Sequence, residues 1–125
     1  APPALCVRDR CRLPGVIGRV GGGGAAWWLG LAGWGAVPLR VSHRTVLGQA
    51  RAIENTSYVA GAGQCGVRYC GQSRIVDPMG VVTSSLGEAE GVTVADVSKE
   101  RLAEVRARLP LLVQRRAAAG VTTRS

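Results

Sequence analysis

The apolar positions of this 125-residue chain change their period several times along its length. Residues 4–7, Ala-Leu-Cys-Val, form a short unbroken apolar run, which predicts a buried strand. Leu13-Pro14-Gly15 reads as a turn. Gly18 and then Gly21 to Gly24 follow. Each glycine costs about 1 kcal/mol against alanine in a helix interior, so no stable helix is expected over residues 16–24. Residues 25–34 are apolar again, with Trp27, Trp28 and Trp34, and predict a buried strand, with Pro38 in the loop after it. From His43 to Asn55 the period becomes helical. Val46, Ala50 and Ile53 recur on one face with Leu47 beside them, and Ser42 is the expected N-cap.

After Thr56 the pattern turns extended. Tyr58 to Gly63 reads as a strand of small residues, whose simplest cause is close approach of another element. A loop over 64–71 leads to a strand at 72–77, a turn at Pro78-Met79-Gly80 and a returning strand at 81–86. Residues 92–97 alternate and predict one more strand. Ser98 caps a last helix whose Leu102, Val105, Leu109 and Leu112 share a face. Glu104 and Arg108 add an i,i+4 pair, and Pro110 ends the regular part. Helices and hairpin-like strands in this order predict an α+β fold in a single domain, without internal repeats.

Composition changes this picture little. Hydrophobic residues make up 46%, enough for a core, and only 19% of residues are charged. The net charge is +8, yet the arginines that carry it are spread along the chain and do not alternate with aromatic residues. No specific nucleic-acid surface is therefore expected. Residues 25–39 are too short and too broken by glycine to cross a membrane, so no membrane partner is expected. The start, Ala-Pro-Pro-Ala, has neither a charged region nor an apolar run of a leader. It reads as a truncated piece, in a cytoplasmic setting. Cys6, Cys11, Cys65 and Cys70 fall in two C-x4-C pairs, looser than common zinc spacings, with one histidine, His43, to assist. Free thiols are expected, and neither a metal nor another cofactor.

Four motifs, in order, then carry a resemblance. They are Arg51-Ala-Ile-Glu-Asn-Thr-Ser-Tyr-Val59, Gly71-Gln-Ser-Arg-Ile-Val-Asp-Pro-Met-Gly80, Gly91-Val-Thr-Val-Ala-Asp96, and Arg101 to Pro110 with the basic pair Arg115-Arg116. Together they resemble the carboxyl-terminal half of the nitrilase superfamily, the carbon–nitrogen hydrolases, close to the omega-amidase and deaminated-glutathione-amidase branches. Residues 49–116 match well, 1–33 keep the spacing but little of the chemistry, and 117–125 form a tail. The implied fold is the carboxyl-terminal portion of an α-β-β-α sandwich. The implied reaction is hydrolysis of a small amide or nitrile C–N bond through a Cys thioester, on a small amide-bearing acid, in a homo-oligomer.

The same register sets the family's signature C-Y-D-x-R-F-P on Arg8 to Pro14, so that Arg8 stands at the nucleophile position and Asp9 and Arg10 follow it. Amide hydrolysis of this kind needs a thiolate, a general base and an oxyanion stabiliser. The family's Glu and Lys belong upstream of residue 1, and an arginine is not a nucleophile. Cys11, flanked by Arg10 and Arg12, is an alternative thiol with a charge environment that favours the thiolate, and Cys6 is a second. Cys65 resembles a non-nucleophilic cysteine of the deaminated-glutathione-amidase type. Asp9 and Trp34 are expected to line the pocket. Arg51 and Glu54 are expected to form a buried structural pair, not a catalytic one, and His43 is expected to be a surface residue. A second function is also open: a non-catalytic binding or assembly module with a cationic edge at Arg8, Arg10 and Arg12.

Overall fold

The computed structural model describes residues 4–7, 12–22, 25–32 and 38–115. Five strands form one mixed sheet in the order β1 (Ala4–Val7), β2 (Trp27–Ala32), β3 (Tyr58–Gly63), β4 (Ser73–Val76) and β5 (Val82–Gly87). The first three are parallel, with Leu5 opposite Leu29 and Leu29 opposite Ala60; β4 and β5 return antiparallel. Parallel neighbours need a crossover, and here each crossover is a helix: α1 (Pro14–Gly22) and α2 (Pro38–Asn55). Right-handed crossovers in one direction put both helices on one face, where they pack on each other. The helix α3 (Lys99–Arg108) starts from Ser98, whose Oγ accepts from the Arg101 N–H at 3.0 Å, and a further helical turn follows at 111–115.

The helix α1 departs from the sequence expectation. Its glycines weaken it locally, but tertiary contacts hold it. Ile17 is buried against Ala25 and Trp28, with Val59 packed alongside. The absent side chain of Gly18 also leaves room for Arg115, whose Nη2 donates to the Gly18 carbonyl at 3.1 Å. Pro14 opens the helix instead of ending in a turn, at the position where a missing N–H costs nothing. Pro38 does the same for α2, so that Ser42 lies inside the helix and does not cap it.

The buried face of α2 is also not the predicted one. Val46 and Ile53 are exposed, while Arg51, Ala52 and Asn55 are buried. Polar residues go inward because each finds a partner. Asn55 Nδ2 donates to the Arg51 carbonyl at 2.9 Å, and Asn55 Oδ1 accepts from Arg115 at 3.1 Å. Residues 92–97 form no strand. They have no ladder partner among the described residues, and Val92 is 88% and Val94 81% exposed.

The junction between α2 and β3 is the tightest place in the chain. Thr56 N–H bonds to Ile53 O and Ser57 N–H to Ala52 O, both at 3.1 Å. This is the paired closure of a helix by a left-handed residue, a place where glycine is the usual occupant. Here it is Thr56, at φ 42°, and its buried Oγ1 has no hydrogen-bond partner among the described residues. The neighbouring groups are all satisfied: Trp28 Nε1 donates to Ser57 Oγ at 2.9 Å, and Arg106 bridges the carbonyls of Thr56 and Ala25 at 3.0 and 2.9 Å.

Asp77 organises the other end. Its Oδ1 accepts from the N–H groups of Met79 and Val81 at 2.7 and 3.4 Å and shapes the β4–β5 turn. Its Oδ2 accepts from Arg101 Nε at 3.1 Å and ties α3 to that turn.

Two outcomes are expected in urea denaturation. Thr56→Gly, which relieves a branched residue in the left-handed region and removes an orphaned hydroxyl, stabilises the chain by about 0.5–1 kcal/mol. Asp77→Ala, which leaves two turn N–H groups without their acceptor, destabilises it by about 2–3 kcal/mol; Asp77→Asn, which keeps an oxygen there, costs less.

Candidate functional site

The three parallel strands end together. Val7 lies opposite Leu31, and Ala32 opposite Gly63. In open sheets with parallel strands, ligands bind beyond these carboxyl ends. The residues that follow β1 and β2 in sequence include Arg8, Asp9, Arg10, Cys11 and Trp34. All five lie outside the described residues, and so does Arg116. Cys6 falls within β1, opposite Gly30.

The carboxyl end of β3 is described in full. Gly63 leads to Gln64 and Cys65, which with Ser73, Leu86, Ala89, Glu90 and Gly91 line a cavity of about 340 Å³. Ser73 holds the strand end in place: its Oγ accepts from the Gly63 N–H at 2.9 Å and lies 3.3 Å from the Gly63 carbonyl. A Cβ on Gly63 would fall on the carbonyl oxygen of Gly71, so only glycine fits. The cavity offers an amide, a hydroxyl, a thiol and a carboxylate, a lining suited to a small polar group.

Behind it, on the helix face, one arginine side chain covers the glycines of β3. Arg44, from α2, lies over Gly61 and Gly63, where a Cβ would stand 3.3 and 3.0 Å from its Nη2. Arg44 Nε and Arg74 Nε both point to the Gln72 carbonyl, at 3.5 and 3.3 Å, and Arg74 Nη2 donates to Gln72 Oε1 at 2.6 Å. Burial lowers the Arg74 pKa from its usual value, since the charged form loses hydration there. Gln72 itself sits at φ 60°, a conformation unusual for a residue with a side chain. The small residues of β3 had suggested a close neighbour; the structure identifies it as the Arg44 guanidinium and the Gly71 carbonyl. Neither Arg44 nor Gln72 was among the sequence candidates. The signal available was the Gly-x-Gly spacing of 61 and 63, which marks a strand face with something large upon it.

Arg51 and Glu54 form an ion pair of 2.8 Å, with the Arg51 side chain buried and that of Glu54 40% exposed. The pair lies on α2, and neither residue lines the cavity. His43 is exposed on the same helix. Cys65 is half-buried and Cys70 buried, both as free thiols. Among the described residues, no group of three or more His, Cys, Asp or Glu side chains is placed to hold a metal ion, and no helix is long and apolar enough to cross a membrane.

Replacing Gly63 by Ala is expected to prevent folding to this structure, read as loss of the cooperative unfolding transition, because backbone and not a flexible side chain occupies the Cβ position.

Comparison with known proteins adds three findings. A family model for carbon–nitrogen hydrolase matches residues 32–107. Among curated proteins, the deaminated glutathione amidase of Escherichia coli O157:H7 is 44% identical over 85 residues, which cover 68% of this chain and 32% of that one. The omega-amidase of Mus musculus is 36% identical over 81 residues, 61% of this chain and 29% of its own. Among solved structures, the Caenorhabditis elegans NitFhit protein superposes with a TM-score of 0.87 at 25% identity, over 95% of this chain and 30% of that one. A carbon–nitrogen hydrolase superfamily protein of Xanthomonas campestris, solved with an arsenic adduct in its active site, gives 0.79 at 26%, over 90% and 46%. The chain thus spans about a third of these curated relatives and less than half of these solved ones.

Proposed function

The chain belongs to the carbon–nitrogen hydrolase family, and from that premise we propose that it represents the carboxyl-terminal part of an amidase for a small amide-bearing acid, and that it does not complete the reaction alone. The relatives named for deaminated glutathione and for omega-amides support the substrate class. In such a reaction a thiolate attacks the amide carbon, the amine leaves with a proton from an acid, and water releases the acid from the thioester. A general base and an oxyanion donor complete the set.

One observation carries the second half of the proposal. β1 ends at Val7, and the next residue, at the position of the signature nucleophile, is Arg8. A guanidinium keeps its proton at any physiological pH and cannot form the thioester. Asp9 and Trp34 line the pocket of the intact enzyme, and Arg51 and Glu54 serve the fold. Cys11 is the fallback thiol. The intact enzyme works as a homo-oligomer in the cytoplasm, with no cofactor.

Incubation of the chain with succinamate is expected to release no ammonia above background and to add no acyl mass to the intact protein. Ammonia release that disappears in Cys11→Ser would assign the nucleophile to Cys11; release that survives that change would overturn the proposal.

The second reading is a binding module that uses Arg8, Arg10 and Arg12 as a cationic edge, favoured by the replacement of the nucleophile by one arginine with two more close by. Binding to a small polyanion such as tripolyphosphate should then weaken steeply with added salt. Salt-independent binding rules this version out.

A further inference from the structure

The loop between β3 and β4 carries two cysteines, Cys65 and Cys70, both free thiols. Hydrogen bonds close the loop on either side of them. Outside the pair, the Gly71 N–H donates to the Gln64 carbonyl at 3.0 Å. Inside it, the Tyr69 N–H donates to the Gly66 carbonyl at 3.1 Å and makes a turn of the four residues 66–69. Cys65 and Cys70 are therefore facing positions between two closed rungs. The β3–β4 register leads to the same pairing. Gly61 faces Arg74, and the count continued past the strand ends sets Gln64 against Gly71, where the hydrogen bond forms, and Cys65 against Cys70.

This placement meets the demand of a disulfide. Facing positions of an antiparallel pair have Cα atoms about 4.5–5.5 Å apart, and a disulfide spans about 4.4–6.8 Å between Cα atoms. Both arms of the loop are anchored at the base. The Gly63 N–H donates to Ser73 Oγ at 2.9 Å, and the Gln72 N–H to the Gly87 carbonyl at 2.6 Å. Small adjustments fall to Gly66 and Gly71, which flank the cysteines at φ 116° and 63°. The two thiols differ in access. Cys65 is half-buried and lines the cavity at the end of β3, while Cys70 is only 4% exposed. An oxidant reaches the first far more readily than the second. Arg68, exposed in the turn between them, offers its positive charge to an anionic oxidant.

We propose that Cys65 and Cys70 form a reversible redox pair that closes in response to a small anionic disulfide such as oxidised glutathione. The Cys65 thiolate attacks the small disulfide, forms a mixed disulfide and releases one thiol. Cys70 loses its proton to water, attacks the Cys65 sulfur and releases the second thiol. Two protein thiols are oxidised, and one small disulfide is reduced to two thiols. An excess of reduced thiol runs the same steps backwards. Closing the bond takes the Cys65 sulfur out of the cavity lining and ties the rim of the cavity to the β4 arm. The proposal rests on this loop and not on the hydrolase reading.

Trypsin separates the possible states, because it cuts after Arg51, Arg68 and Arg74 and so puts the two cysteines in different peptides, 52–68 and 69–74. The full chain is incubated with oxidised glutathione, capped with N-ethylmaleimide, digested and weighed by mass spectrometry. The expected product is peptide 52–68 joined to peptide 69–74, lost again with dithiothreitol. A loop of this length also closes in an unfolded chain, so the fold's share is read separately. The ratio of joined peptides to glutathione adduct on Cys65 should be at least tenfold higher without denaturant than in 6 M urea. Cys70→Ser, or Cys70→Ala if serine unfolds the chain, should leave a lasting glutathione adduct on peptide 52–68. Cys65→Ser should leave Cys70 without one. The proposal is overturned if Cys65 stays unmodified, or if it keeps glutathione while Cys70 is capped as a thiol. Joining mainly to Cys6 or Cys11, or a ratio that urea does not lower, overturns it as well.

Discussion

The three residues Asn55-Thr56-Ser57 are the constraint on which the rest of the structure depends. They are the last residue of α2 and the two that lead into β3, and all three are buried. A buried helix end leaves carbonyl and N–H groups that must be paired within the protein. Here the partners come from every direction in the fold: Trp28 from β2, Arg106 from α3, Arg115 from the carboxyl-terminal segment. The sheet and its helices are therefore not joined by apolar packing alone. They meet at a polar knot in which, the Thr56 hydroxyl apart, donors from three elements have fixed acceptors, and that specifies one arrangement more sharply than a core of small residues could.

This knot also explains the odd distribution of arginine. Arg106 and Arg115 each bond two groups from distant elements, with planar forks suited to two acceptors at once. Arg101 and Arg74 do the same locally. A cationic chain of this kind uses a good part of its charge as internal bracing. Its net charge is a poor guide to what it binds.

The hairpin of β4 and β5, the strand β3 and the helix α3 were legible in the sequence, because each has its own local signal: a Pro-Met-Gly turn, a small-residue run, a capping serine before a leucine face. The helix α1 was not, because what holds it is Arg115, 97 residues away from Gly18. The buried face of α2 was misread for a similar reason. Hydrophobicity favoured Val46 and Ile53, while the side that faces inward carries Arg51 and Asn55, whose partners no periodicity reveals. Residues 92–97 alternate like a strand and lack a ladder, since alternation reports two faces and says nothing of a neighbour. At the site, the sequence pointed to the loops after β1 and β2, while the arrangement around β3, with Arg44, Gln72 and Ser73, needed the fold to bring the residues together.

The bond from Arg115 to the Gly18 carbonyl has a consequence for the order in which the chain can form. A ribosome delivers α1 early, as a glycine-rich segment with little helical tendency of its own. Its brace arrives only when residue 115 has emerged, after every strand of the sheet has been made. During synthesis α1 waits, while β3, β4 and β5, whose contacts are between neighbours in sequence, can assemble behind it. Helix α1 is thus the last element of the described fold to be locked in place.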